Sequence, residues 1–199
     1  MVRYRGPRLK IIRKFNTILP GLTTKKELEV KEKKIKESVY RIRLNEKQKL
    51  RYNYGITEVQ LLRYIKKARR KKGLTGFLLM QFLEMRLDNI IFRLGLTLTI
   101  PAARQLVNHG HVLINEKKVN IPSFQCQPND RISFIKNKKT IKLIESNIQN
   151  LEAIDPSLNN HLEFNYRLLV GKIVNLIPQE NITFKINDML VIEYYSKLK

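Results

Sequence analysis

The chain holds a single cysteine, Cys126, among 199 residues. One thiol closes no internal disulfide and builds no cysteine zinc cluster, so the fold must be held by packing and the chain suits a reducing compartment. Acidic residues are also scarce, 17 against 39 lysines and arginines. Long apolar runs are missing: "FLLMQFLEM" at 77–85 is the nearest approach and falls short of the roughly 18 uninterrupted apolar residues of a membrane span. A soluble chain with no membrane partner is expected. The amino terminus, "MVRYRGPRLKIIRKF", is basic but lacks the apolar stretch and small-residue cleavage site of a secretory signal. The first thirty residues contain no serine, which argues against a transit peptide. There is no internal repeat, and the Lys/Glu stretch at 25–37 is the only low-complexity tract; it reads as a solvated helix or linker.

What the sequence has in excess is positive charge. The formal net charge is +22, in a chain long enough to bury roughly 70% of its unfolded surface. A folded binder of a polyanion is implied, with a phosphate backbone as the leading partner. The charge is uneven. Residues 1–73 carry 24 basic and 6 acidic side chains, 74–143 carry 10 and 4, and 144–199 carry 5 and 7. A basic arm and helical part, a mixed central module and a near-neutral C-terminal segment follow from that distribution.

In the arm, Gly6-Pro7 and Pro20-Gly21 bracket a run with Arg3, Arg5, Arg8, Lys10, Arg13 and Lys14, which predicts an extended strand laid along phosphates. Tyr4 and Phe15 are placed to stack on bases. The plain alternative is a disordered, solvated tail. From Asn45 the pattern becomes helical: "NEKQKLRYNYG" starts at a capping residue and stops at Gly55. Thr57 and Gln60 then form a capping-box pair, and Leu61, Leu62, Ile65 and Ala68 keep an apolar face until Gly73. Arg63, Lys66, Lys67, Arg69, Arg70, Lys71 and Lys72 fill the other face, either as a solvated surface or as a nucleic-acid contact. Two further helical pieces span 77–95, with Phe77, Leu78, Phe82, Leu83, Leu87, Ile90, Ile91 and Leu94 as core.

Gly95 ends the second of these pieces. Thr99 then caps another helix, with Pro101 in its first turn and Gly110 just past its end. "HVLIN" and "KVNI" around Asn115-Glu116-Lys117 read as paired strands, and "DRISFI" at 130–135 as another. A compact helix-helix-sheet module results. Ala103, Leu106 and Val107 form its inner stripe, while the i,i+4 pairs Arg104/Asn108 and Gln105/His109 point elsewhere as a polar ridge. Arg86, Arg93, Lys117 and Lys118 join this ridge as a surface suited to folded RNA. Each has a plainer reading: Arg86 pairing with Asp88 or Glu84, Asn108 as a C-terminal cap, and His109 and His111 as packed or surface imidazoles. No cysteine or carboxylate stands at ligand spacing from the histidines, so no metal is expected.

The stretch "RLDNIIFRLGLTLTIPAARQLVNHGHVLINEKKVNIPSFQCQPND" resembles the RNA-binding module of the S-four family of small-subunit ribosomal proteins. "RYRGPRLKIIR", "LPGLT", "EKQKLRYNYGITEVQLLRY", "LLMQFLEMRLDN" and "INDMLVIEYYSK" resemble other parts of the plastid versions of that protein, so the likeness runs nearly end to end. The resemblance implies an α+β fold: a mainly helical domain with an inserted helix-hairpin and antiparallel-sheet RNA-binding module of the alpha-L type. The implied boundaries are a basic arm at 1–44, a helical domain at 45–85 completed by 150–199, and the module at 86–149. It further implies a primary binder of small-subunit ribosomal RNA that nucleates assembly of the subunit body and contributes to translational accuracy. Neighbouring small-subunit ribosomal proteins, and mRNA where it enters the subunit, are the other implied partners. No cofactor is implied.

The matching RNA-facing residues are Arg3, Arg5, Arg8 and Arg13 in the arm and Arg86, Arg93, Arg104, Gln105, Asn108, His109, Lys117 and Lys118 in the module. Arg63, Lys66, Lys67 and Arg70 are added from the basic helix. Two positions depart from the family pattern: many relatives have Arg where Gln60 stands and a basic residue where Gly110 stands. The zinc-holding N-terminal cysteines of some bacterial members are absent.

The same module occurs in some pseudouridine synthases and tyrosyl-tRNA synthetases, but nothing here offers a phosphate-cradling glycine loop or a nucleophile-base pair, so no enzyme is expected. A non-ribosomal RNA-binding regulator and a mitochondrial ribosomal relative are the alternatives, followed by a DNA-compacting protein. The early start of the family-like motif, with the abundance of Lys, Asn and Ile, leads to the expectation of an organelle-encoded protein of the small ribosomal subunit in the chloroplast stroma.

Overall fold

The computed structural model describes residues 4, 6–24, 38–135, 137–149, 160–182, 184 and 186–196. The chain divides into two compact units, one formed by residues 1–80 with 184–199 and the other by 81–183. The return to the first unit thus comes at 184, later than the expected 150, because residues 162–173 join the sheet of the second unit.

In the first unit, α1 (Arg8–Phe15) buries Ile11, Ile12 and Phe15, and it ends where Asn16 turns left-handed at φ 47°. This helix replaces the extended strand expected of the arm: the apolar i, i+1, i+4 stripe gains more from packing than an extended chain could. Phe15 is likewise not presented to bases, whereas Tyr4, 45% exposed, keeps part of its ring at the surface. Their rings pack against Tyr52 at 5.3 and 6.0 Å between centroids, and Phe15 is buried. The Lys/Glu stretch at 25–37, and Arg3 and Arg5, lie outside the described residues.

Helix α2 (Val39–Asn53) begins six residues before Asn45, capped by Ser38, whose hydroxyl accepts from the Arg41 N–H at 3.3 Å. It stops at Gly55, which supplies φ 57°. Helix α3 (Glu58–Arg69) opens on the expected capping box, with Thr57 and Gln60 bonding reciprocally at 3.3 and 3.1 Å. Leu61, Ile65 and Ala68 are buried, whereas Leu62 sits off that stripe and is exposed. Helix α4 (Thr75–Glu84) starts in this unit. The first unit closes with α8 (Asp188–Ser196), where Asn187 Oδ1 accepts from the Leu190 N–H at 3.3 Å. Its first turn packs on Gly76: a Cβ there would fall 2.0 Å from Asp188 Oδ2, so any larger residue would have to displace the Asp188 side chain.

The second unit places α5 (Leu87–Arg93), α6 (Ile100–Asn108) and α7 (Lys138–Gln149) with a five-stranded antiparallel sheet of order β2-β1-β3-β5-β4. The strands are β1 (Val112–Ile114), β2 (Lys117–Lys118), β3 (Arg131–Phe134), β4 (Leu162–Asn165) and β5 (Val170–Ile173). Asn115 and Glu116 take φ 47° and 67°, the paired left-handed geometry of a tight hairpin turn, so β2 is shorter than "KVNI" implied. Ile114 stands opposite Ile132 and Leu162 opposite Ile173, which aligns the buried face of the sheet. On it pack Leu87, Ile90, Ile91, Ala103, Leu106 and Val107 from the helices. The hairpin of β4 and β5 is unmarked by strict alternation in the sequence and was not expected. Its turn is set by Asn165 Oδ1, which accepts from the N–H groups of Arg167 and Leu168 at 3.0 and 3.1 Å.

Candidate nucleic-acid interface

The helix hairpin of the second unit is braced from inside. Asp88, fully buried, accepts from Arg86 through Nε at 2.9 Å and Nη2 at 2.6 Å, and from Nε of Arg104 at 2.8 Å. Glu84 holds Arg93 through Nε at 2.9 Å and Nη2 at 2.7 Å, and it also accepts from the Asn89 amide. Arg93 Nη1 further donates to the Asn181 carbonyl at 3.2 Å.

These three arginines were expected on the RNA face, and the structure corrects that expectation. Arg86 is 2% exposed and Arg93 and Arg104 are each 8% exposed, so their charge is directed at buried carboxylates. The physical reason is desolvation: Asp88 and Glu84 in a dry interior require cationic partners, and the helix spacing supplies them. Arg86 is the partner of Asp88, the plainer of its two sequence readings.

The rest of the ridge does face outward. Gln105, Asn108 and His109 are exposed on α6, and Lys117 and Lys118 are exposed at the β1–β2 hairpin. Lys118 lies across Gly110, where a Cβ would come within 2.2 Å of its Cε; its ammonium therefore covers the glycine that separates His109 from His111. The two imidazoles meet edge to face at 6.0 Å, and His111 Nδ1 lies 3.2 Å from Thr140 Oγ1. Among the described residues no three His, Cys, Asp or Glu side chains gather as a metal site.

In the first unit Arg63, Lys66, Lys67 and Arg70 are all exposed at i, i+3, i+4 and i+7, on the side of α3 opposite Leu61, Ile65 and Ala68. Arg8 and Arg13 are exposed on α1, and Arg8 Nη1 donates to the Leu22 carbonyl at 3.2 Å. Each unit thus carries its own cationic face.

Two buried titratable groups had no signal in the sequence pattern. His161, 3% exposed, is pushed down to about 4 by burial and then by Arg93, with Glu84 opposing; among the described residues its Nδ1 has no partner. Lys47, 4% exposed, reaches Glu58 at 3.0 Å and lies 4.3 Å from the centre of the Tyr194 ring. Burial would raise the Glu58 carboxyl, but the Tyr195 hydroxyl, Lys47 and Arg51 hold it below its ordinary value.

Comparison with known proteins fits both units. Residues 85–132 match the S4 domain family, which covers α5, α6, β1, β2 and the start of β3, and residues 3–84 match the Ribosomal protein S4/S9 N-terminal domain family. The chain is 52% identical to the small ribosomal subunit protein uS4c of Staurastrum punctulatum, across 99% of each chain. It is equally similar, at 52% and the same coverage, to small ribosomal subunit protein uS4 of Nostoc punctiforme, and 50% identical to uS4c of Rosulabryum capillare. On the strength of two adjoining family matches and full-length relatives, the chain belongs to the uS4 family of small ribosomal subunit proteins.

Proposed function

We propose that this chain is a structural constituent of the small ribosomal subunit and binds small-subunit ribosomal RNA directly. The observation that carries this reading is the relationship to uS4 proteins over 99% of the chain, with the S4 domain falling on the helix hairpin and its sheet. The geometry supports the same conclusion: exposed cations on α3 and at the β1–β2 hairpin supply phosphate contacts, and a rigid, internally braced module supplies shape. The role is structural rather than catalytic. Full-length relatives favour a ribosomal protein over a free-standing RNA-binding regulator.

Within the same reading the protein is an early binder that nucleates the subunit body and contributes to accuracy, touching neighbouring ribosomal proteins and mRNA where it enters. The uS4c and cyanobacterial uS4 relatives support a plastid small subunit; placement in the stroma and an organelle-encoded gene are further parts of this proposal.

The test is a salt-series titration of the full chain against small-subunit ribosomal RNA, with length-matched unrelated RNA and duplex DNA as competitors. A preference for the ribosomal RNA that survives moderate salt is expected. Equal binding to all three, vanishing together as salt rises, would leave only a generic basic protein.

A further inference from the structure

Between α6 and α7 the second unit holds a cavity of about 410 Å³, within the range of about 300–1,000 Å³ common to small-molecule sites. Leu98 and Leu143, 40% and 49% exposed, stand in its walls. Gln105, Asn137, His109 and His111 also line it. Among the described residues no carboxylate, lysine or arginine does.

Each property narrows the occupant. Apolar walls without an internal cation make a poor home for a free phosphate, and the lack of a carboxylate offers nothing to an amine. A flat, uncharged group with mixed donors and acceptors along its edge fits all of the lining. Amide side chains present both a donor and an acceptor, and imidazoles stack on such rings. The walls are fixed in advance: Thr140 Oγ1 holds His111 Nδ1 at 3.2 Å, and Asn147 Nδ2 donates to the Leu96 carbonyl at 3.0 Å. Two described cations border the cavity outside its lining. Lys118 covers Gly110 beside the two histidines, and Lys138, exposed, follows Asn137 in the chain.

We propose that this cavity receives one unstacked base of the bound small-subunit ribosomal RNA, with His109 as its stacking partner, Gln105 at its polar edge and the leucines against its faces. The inference rests on the RNA-binding reading above and adds a base-reading element to surfaces that otherwise meet only phosphates and shape.

The experiment uses the full chain, small-subunit ribosomal RNA and two variants at exposed positions, Leu143→Trp to fill the cavity and Gln105→Ala to remove the edge contact, with folding checked by circular dichroism. Leu143→Trp should weaken binding on the order of tenfold while leaving the salt dependence unchanged, since no phosphate contact is removed. Chemical probing should find one unpaired nucleotide whose Watson–Crick edge is protected by the wild type and re-exposed with either variant. Wild-type affinity together with an unchanged probing pattern for Leu143→Trp would overturn the base pocket while leaving RNA binding intact. Unchanged RNA affinity with failed incorporation into subunits would also overturn it, in favour of an apolar side chain from a neighbouring protein. If the wild-type chain shows no preference for ribosomal RNA, the RNA-binding reading fails first, and the pocket with it.

Discussion

Arg104 meets Asp88 side-on, with Nε and Nη2 both 2.8 Å from Oδ2. A residue four positions before the exposed Asn108 is thereby an internal brace that ties α6 to the first turn of α5, while Arg86 grips the same carboxylate from the preceding residues. Removing Arg104 leaves Asp88 paired with Arg86 alone and forfeits two short charge-assisted contacts in the interior, each of about 1.5–3 kcal/mol before the site relaxes. Arg104→Ala should therefore lower stability by about 3 kcal/mol in urea unfolding followed by circular dichroism. Its RNA affinity, measured well below the melting temperature, should stay near the wild-type value. An unchanged unfolding midpoint with a large drop in affinity would mean that the guanidinium turns outward on RNA.

The exposed cations should behave in the opposite way. Lys117→Ala, and separately Lys66→Ala on α3, remove charges that sit at the surface. Stability should stay within about 0.5 kcal/mol. The log–log slope of affinity against salt should become shallower by about 0.7–0.9 for each phosphate that is no longer neutralised. A variant that leaves the slope unchanged carries a lysine that only solvates its helix or hairpin.

How much of this was legible in the sequence depends on whether local spacing or tertiary burial decides the outcome. The Thr57/Gln60 capping box, the Thr99 cap with Pro101, and the glycine stops at 55, 95 and 110 are all present, because each acts through its own neighbours. The ridge was half legible. Gln105, Asn108 and His109 face out as the helical spacing indicates, but Arg104 does not, because spacing does not reveal where a carboxylate is buried. Charge in the arm read as an extended strand, yet Ile11, Ile12 and Phe15 decide for a helix once there is a surface to pack on. The β4–β5 hairpin gave too weak a period to detect; its place is set by pairing with β3, which brings together distant parts of the chain. The cavity between α6 and α7 could not be read at all, since its walls meet only in the folded unit.

Lys47 stabilises the helical unit through geometry that no pattern announces. Its ammonium lies 4.3 Å from the Tyr194 ring centre and 3.0 Å from Glu58, to which the Tyr195 hydroxyl also donates. Lys47→Met keeps the length and apolar stem while removing the charge. The variant should fold but be less stable by about 1–2 kcal/mol, the range of a desolvated cation–π contact with a partly exposed ion pair. Glu58 should show the change directly: without Lys47 its carboxyl, now held below the ordinary value, should titrate at higher pH in a carboxylate-resolved NMR titration. A variant as stable as the parent would show that desolvating Lys47 cancels both interactions.

His161 gives the second unit a defined acid response. Burial first, then Arg93, pushes its imidazole from 6.5 down to about 4, with Glu84 pulling the other way. The folded state therefore keeps the neutral ring where the unfolded chain already binds a proton. Stability from this site is fully present above pH 6.5 and is lost as pH falls towards about 4. The expected decrease across that window is roughly 1–3 kcal/mol. His161→Leu removes the titration, and because Nδ1 has no partner among the described residues, it breaks no bond made by that atom. Urea midpoints for parent and variant, taken at intervals between neutral pH and about pH 4, should converge or cross as the parent weakens. Glu58, held low, acts at the acid end of the range and is common to both proteins, so the difference between the two curves isolates the histidine. Parallel curves would mean that protonated His161 finds a favourable partner inside the fold, with Glu84 prevailing over Arg93.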